Sequence, residues 1–256
     1  MAQHRHEHAR ARRAYGQNLL TDPRSLRQVA AAAELRPGEL VYEVGAGRGH
    51  LTAELARRTR RLVAYEVDPE MAAALLDRPG VTVRAGDFLR ALPPGEPFAV
   101  VGNIPYALTA AVVEWCLHAP ALTAATLVTQ LEYARKRTGD YGRWSRLTIR
   151  TWPAYAWDLA GRLPRTAFRP VPRVDGGILR LRRRPVPLVP DPADWQRFVD
   201  LGFTGLGGSL QATLTGRYGV RRTAAAFRAV RLAPDVPVGR VWPEQWLTLY
   251  RLLSRC

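Results

Sequence analysis

An α/β fold built on a mostly parallel sheet, with a small helical domain after it, is what this chain of 256 residues predicts. Three observations lead there. Short apolar strands alternate with helical segments through the first half of the chain. The strand ends carry glycines or polar residues. Beyond a proline-rich stretch near residue 185, the pattern is helical alone. Apolar strands alternating with helices indicate a sheet covered on both faces, as parallel sheets are.

Taken in order, residues 26–35 are alanine-rich and helical in pattern. LVYEVG (40–45) reads as a strand, HLTAELARR (50–58) as a helix and RLVAYEVD (61–68) as a second strand. PEMAAALLD (69–77) is a helix opened by proline, while VTVRAGD (81–87) and PFAVVGN (97–103) are further strands. TAAVVEWCLH (109–118) reads as a helix and TAATLVTQ (123–130) as a fifth strand. RLTIRTW (146–152) and GGILRLRRR (176–184) are expected to add later strands. PVPLVP (185–190) breaks the pattern with three prolines. Asp191 then stands as a capping residue before a proline at the first helical position, and TAAAFRAV and PEQWLTLYRLL continue the helical pattern. The expected organisation is a basic flexible leader (1–15), a sheet-bearing catalytic domain (16–185) and a helical domain (186–256).

The formal charge of +16 is unevenly placed. Residues 131–184 hold 14 basic and 4 acidic residues, whereas residues 1–130 hold 15 and 13. Charge spread for solubility alone would be more even, so the concentration points to a polyanion-binding surface. No run of about eighteen uncharged apolar residues is present, which excludes a membrane-spanning helix. The leader HRHEHARARR has no apolar signal region, and its histidines do not make a credible metal site. Cys116 and Cys256 are too few for a disulfide framework, and a reducing cytoplasm is the expected compartment.

The chemistry sits at the strand ends. EVGAGRGH places Gly45, Gly47 and Gly49 where the first strand turns into its helix, in G-x-G-x-G spacing; the dinucleotide fingerprint would need glycine where His50 stands. Glu66, 21 residues after Gly45, ends the second strand, where a carboxylate can accept hydrogen bonds from ribose hydroxyls. Asp87 ends the third, placed to accept from an adenine amino group; Asp68 before Pro69 reads equally as a helix cap. Three consecutive ends of this kind form a nucleoside-binding edge, open to NAD or to S-adenosylmethionine.

The fourth strand end discriminates between them. In VGNIPYALT, the Asn103 side-chain oxygen and the Ile104 carbonyl are acceptors, Pro105 fixes the turn and Tyr106 offers a ring face. That set suits an exocyclic amine on a flat heterocycle, held by two acceptors and stacked, with its lone pair directed at a methyl donor. A hydride-transfer enzyme has no use for it. The plainer reading, a turn of Asn and Pro, uses the same residues.

In their order, GQNLLTD, EVGAGRGHLT, YEVD, AGDFL, GNIPYALT, QLEYARKRTGDYGRWSRLTI and FRPVPRVDGGILRLRR resemble the rRNA adenine N6-methyltransferases, and within them the erythromycin-resistance methyltransferases, over residues 16–184. The resemblance implies a Rossmann-like S-adenosylmethionine-dependent domain that methylates N6 of one adenosine in the peptidyl-transferase loop of 23S rRNA. Blocking the site where macrolide, lincosamide and streptogramin B antibiotics bind would then confer resistance. By motif position it implies cofactor contacts from Gln17, Asn18, Leu20, Gly45, Gly47, Glu66, Val67, Asp87, Phe88 and Asn103. It also implies that Asn103, Ile104, Pro105 and Tyr106 hold the target base while Phe168 stacks on its other face; residue type alone makes Phe168 a core residue.

Two departures stand out. Leu19 occupies a place where the family often has Phe, and Ala107-Leu108-Thr109 stand where it often has Asn-Ile-Ser. The second borders the target pocket and bears on rate and on the number of methyl groups added. For the RNA, the expected contacts are Arg135, Lys136, Arg137, Arg143 and Arg146, with Arg150 and residues 180–184 adding to them and Tyr141 and Trp144 interleaved for stacking. Protein-free 23S rRNA or a ribosome precursor is the expected partner, with the protein monomeric and without a membrane. Rival readings are a housekeeping dimethyltransferase of 16S rRNA, against which NIPY rather than NLPY counts, and a non-catalytic RNA-binding factor on the same fold.

Overall fold

Val44 and Gly102 lie side by side at the centre of the sheet, and their separation sets its geometry. The computed structural model describes residues 18–76 and 78–254. Its strands are β1 (Leu19–Leu20), β2 (Leu40–Val44), β3 (Arg61–Glu66), β4 (Val81–Ala85), β5 (Phe98–Asn103), β6 (Leu122–Gln130), β7 (Tyr155–Leu163), β8 (Phe168–Arg169) and β9 (Gly176–Arg183). Seven of them form one sheet in the order β4-β3-β2-β5-β6-β9-β7. The first five of that order run parallel, and β9 is antiparallel to β6. The chain leaves β2 toward β3 on one side and returns to β5 on the other, which creates a crevice at the carboxyl ends of β2 and β5. β1 and β8 make a separate two-stranded pairing, Leu20 opposite Phe168.

Local chemistry explains where the helices begin. Asp-Pro occurs three times, and each time the aspartate caps a helix whose first turn holds the proline. Asp22 accepts the Ser25 N–H at 2.8 Å, Asp68 those of Glu70 and Met71, and Asp191 those of Ala193 and Asp194. The helices Pro23–Ala32, His50–Ala56, Pro69–Ala73 and Thr109–His118 match the expected segments, shorter at several ends. Strand interiors are sealed: Val41, Leu62, Phe98, Val100, Val101 and Leu127 are buried. Val41, Leu62 and Val101 join Val29, Leu51, Leu55 and Phe168 in one cluster.

Residues 146–152, expected as a strand, form the helix Arg146–Thr151. The Ser145 hydroxyl accepts the Thr148 N–H at 3.2 Å, and this cap outweighs the β-branched content of the segment. β7 was not expected; its alternation is interrupted by Asp158 and Gly161. The helix Leu210–Tyr218 was likewise not separately expected.

The chain divides into two compact units: residues to Ala134 with Asp158–Arg183, and Arg135–Trp157 with residues from Arg184 onward. The later division falls between Arg183 and Arg184, and the segment Arg135–Trp157 groups with the helices instead of with the sheet. Packing explains this: Trp144 and Ile149 share a core with Trp195, Phe198, Phe227 and Trp246, and the Trp195 indole N–H donates to the Ile149 carbonyl at 3.1 Å. The leader expected at residues 1–15 lies outside the described residues.

A β-carbon at Gly102 would stand 2.6 Å from the Val44 carbonyl oxygen and 3.0 Å from Val44 Cβ. Gly102→Ala is therefore expected to destabilise the fold by about 1–3 kcal/mol, because the neighbour is backbone and cannot turn aside. Urea denaturation reads this as a lower midpoint at unchanged slope.

Candidate active site

Following β2, the backbone turns sharply: Gly45, Gly47 and Gly49 have φ of 70°, 55° and 77°, a region other residues seldom adopt. The N–H groups of Gly45 and Ala46 both donate to the Tyr65 carbonyl, at 3.0 and 3.1 Å. At Gly47 a β-carbon would meet the Leu19 side chain at 2.9 Å, so glycine there permits close packing under the N-terminal segment.

Glu66 is buried at the end of β3. One carboxylate oxygen accepts the Gly47 N–H at 2.7 Å, the other the Asp68 N–H at 3.0 Å. The sequence reading reserved this carboxylate for ribose hydroxyls. In the structure it orders the glycine loop through these two backbone donors. The Asp68 side chain caps the helix that follows. Asp87 uses one oxygen to cap the Leu89 N–H at 3.0 Å, leaving the other for a ligand donor. Beside it, Phe88 is fixed by Trp115, ring centroids 4.4 Å apart, and by an edge contact with Tyr65.

These groups line one cleft of about 600 Å³, counting its open mouth, together with Asn18, Leu19, Val67, Asn103, Pro105, Leu108 and Val112. The donor set fits S-adenosylmethionine. Glu66 brings a carboxylate to the cleft wall, Asp87 keeps one oxygen for an amine donor, Val67 and Phe88 give apolar surface for a flat base, and the glycine loop leaves room for backbone approach. Asn103 completes it. Its amide N–H donates to the Asn18 carbonyl at 2.8 Å, which leaves the amide oxygen without a partner among the described residues.

Other expected residues fall differently. Leu20 is buried in the core while Leu19, on the opposite face of the strand, lines the cleft. Phe168 is fully buried, its ring against Gly176, where a β-carbon would stand 2.9 Å away. This conformation makes it a core residue, as residue type alone predicted, and gives it no open face for a base. The Ile104 side chain is buried below the turn, and Tyr106 is half-buried with its hydroxyl enclosed and unbonded. Burial, then the nearby Asp175 charge, pushes that phenol above its ordinary range. Leu108 lies in the stretch where this chain departs from the family pattern, and it supplies cleft wall that motif reading missed. Gln17 lies outside the described residues.

Within the second unit, the expected RNA contacts are mostly engaged. Arg135 pairs with Asp140 and lies 4.0 Å over the exposed Tyr141 ring. Arg137 donates to the Ser145 hydroxyl at 2.9 Å, and Arg146 and Arg150 share Asp200. Lys136 and Arg143 are exposed. Trp144, expected as a stacking surface, is in the core. The arginines of 180–184 are structural: Arg180 pairs with Glu34, Arg182 with Asp158, and Arg183 and Arg184 donate to carbonyls of Leu122 and Trp152.

Glu43 escaped the sequence reading, although an acid inside LVYEV was the available signal. It is buried in β2 with neither oxygen hydrogen-bonded. Burial pushes its pKa up to about 8; the Thr52 hydroxyl and Arg78 oppose the rise, and Glu66 adds to it. Since the folded chain then holds a proton that the unfolded chain releases, this group's contribution to stability is complete below about pH 4.5 and lost as pH rises to about 8. Stability is therefore expected to fall with rising pH across that window. Glu43→Gln removes the titration, so urea denaturation across the window is expected to show a flatter profile than the wild type, and an unchanged profile would refute the assignment.

A family model described as ribosomal RNA adenine dimethylase matches residues 8–255. The chain is 55% identical over 252 residues to an rRNA adenine N-6-methyltransferase of Streptomyces fradiae, covering 95% of this chain and 79% of that protein. It is 36% identical to the mycinamicin-resistance protein MyrB of Micromonospora griseorubida, over 93% and 77% of the two chains. Among solved structures it is similar to the 23S rRNA methyltransferase ErmE, with a TM-score of 0.90 and 48% identity over 93% of this chain and 100% of that one.

Proposed function

Because this chain belongs to the ribosomal RNA adenine dimethylase family, we propose that it methylates N6 of one adenosine in the peptidyl-transferase loop of 23S rRNA and so confers resistance to macrolide, lincosamide and streptogramin B antibiotics. Its enzyme class, an S-adenosylmethionine-dependent rRNA adenine N6-methyltransferase, follows from the same relatives. The large-subunit target is supported by the likeness to ErmE and to MyrB and by the NIPY turn.

One observation carries the chemistry: the Asn103 amide is oriented by its bond to the Asn18 carbonyl, so its oxygen is the group offered to the cleft. S-adenosylmethionine, when bound, supplies an already activated sulfonium methyl. Glu66 and Asp87, at the ends of adjacent strands on the cleft wall, hold its nucleoside. The Asn103 oxygen and the Ile104 carbonyl take the two amino hydrogens of the target adenine, which fixes the direction of the N6 lone pair. Pro105 holds the turn in shape, and the Tyr106 ring provides the stacking face. Neither acceptor is a strong base, and none is needed for an electrophile of this kind. Lys136 and Arg143, with Arg135, Arg137 and Arg146, supply the phosphate contacts of the substrate. The protein acts as a monomer on protein-free 23S rRNA or on an assembly precursor.

Asn103→Ala is expected to lower methyl transfer by at least about a hundredfold, with RNA affinity largely kept. Labelled S-adenosylmethionine incubated with protein-free 23S or 16S rRNA, followed by mapping of the modified base, tests the whole reading. Label on one 23S adenosine supports it, and label on 16S alone assigns the chain to the housekeeping branch. Wild-type turnover in the Asn103 variant would remove the amine-acceptor role. Glu66→Ala should weaken cofactor binding tenfold or more, since both the ribose acceptor and the loop's anchor go with it.

A further inference from the structure

In the second unit, a cleft of about 460 Å³, counting its open mouth, lies between the turn bearing Arg143 and the turn Pro237–Arg240. Its walls are Arg143, Pro237, Gly239 and Arg240. The Trp144 N–H donates to the Gly239 carbonyl at 2.6 Å, which fixes the two turns to each other. Behind them the Trp144 ring is anchored edge-on to Trp152, centroids 5.4 Å apart, so the site is rigid before any ligand arrives. Both guanidiniums are exposed and, among the described residues, neither has an ion pair or hydrogen bond. Arg135, Arg146 and Arg150, in the same region, are matched with acids.

Two residues after Arg240, Trp242 is 54% exposed. Its ring meets Trp144 at 5.5 Å and 61°, an edge contact that leaves much of its flat face to solvent. A large aromatic exposed to this degree beside two unpaired guanidiniums is a costly surface for a protein to carry without use. A carboxylate partner would satisfy the arginines and leave the ring bare. A nucleotide satisfies both, with its phosphate on the guanidiniums and its base on the indole.

We infer that the Arg143–Arg240 cleft and Trp242 form a second RNA-contact site, which takes a phosphodiester and stacks the adjoining unpaired base of the rRNA substrate. The inference rests on the proposed rRNA substrate and adds a site in the helical unit that cofactor and target-base residues do not include. A contact of this kind reads shape and unstacked bases in the flanking strand rather than the methylated adenosine itself.

The test measures binding of the full chain to protein-free 23S rRNA over a salt series. It compares the wild type, the double variant Arg143→Gln/Arg240→Gln, and Trp242→Ala. Loss of two phosphate contacts should reduce the slope of log K against log salt by roughly 1.5. Trp242→Ala should weaken binding on the order of tenfold at unchanged slope. Trp242→Leu, which keeps an apolar contact with Trp144, should show the same loss, so a folding defect is separable from lost stacking. Cofactor affinity should stay at the wild-type value in all three. Wild-type affinity and slope in the double variant, or wild-type affinity in both Trp242 variants, would overturn the site. Methylation of 23S rRNA by the wild type would stand in either case, whereas no methylation of 23S rRNA would instead remove the proposed substrate.

Discussion

Three of the four strand ends that form the cleft are joined through one residue. Glu66 accepts the N–H of Gly47 from the loop after β2 and that of Asp68 from its own turn, and its backbone carbonyl accepts the Gly86 N–H at 2.8 Å from the end of β4. A carboxylate bonded to two backbone donors is costly to bury otherwise, and these bonds are stronger than neutral ones. The same interaction therefore compensates the buried charge, holds a left-handed glycine loop in place and keeps the acceptors of β3 and β4 at fixed separation. The fourth end, at β5, is fixed by a different device, the Asn103 amide bonded to the Asn18 carbonyl. Together they leave a cleft whose acceptors are positioned by bonds that a bound cofactor does not have to make.

Much of this could be read from the chain because the fold places chemistry at regular intervals. The glycine loop, Glu66, Asp87 and Asn103 each follow an apolar strand, and in a parallel sheet successive strand ends come to one edge. Helix starts were legible for a local reason: an Asp-Pro pair carries both cap and first-turn residue. What failed was non-local. Ser145 converts a β-branched segment into a helix through a single hydrogen bond, and the transfer of residues 135–157 to the helical unit depends on Trp144 and Ile149 finding Trp195 far along the chain. Leu19 lines the cleft and Leu20 lies in the core because neighbouring residues on a strand face opposite sides. Phe168 shows the reverse tension. Its residue type predicted the core, and motif analogy a base-stacking role; the structure agrees with residue type.

The basic segment teaches a related point about charge. Concentration of arginine between 131 and 184 suggested one polyanion-binding face, but formal charge does not say which guanidiniums are available. Arg180, Arg182, Arg183 and Arg184 hold carboxylates or carbonyls of the fold, and Arg135, Arg146 and Arg150 have acids of their own. Exposed ion pairs of this sort contribute little stability and are screened by salt, so they can be exchanged for phosphates at small expense. A guanidinium with no partner offers its full field from the start. Availability, more than number, decides where RNA contact is strongest.

Glu43 extends the argument about Glu66. Both carboxyls lie in the same part of the sheet, on adjacent strands, and the charge on one opposes ionisation of the other. Glu66 has two backbone donors, whereas Glu43 is enclosed in the sheet and burial keeps it neutral through the physiological range below about pH 8. A neutral Glu43 places no charge of its own behind the glycine loop that Glu66 anchors. The unequal hydrogen bonding of two buried acids on adjacent strands thus gives one the task of ordering the glycine loop and leaves the other neutral through burial, before any ligand is present.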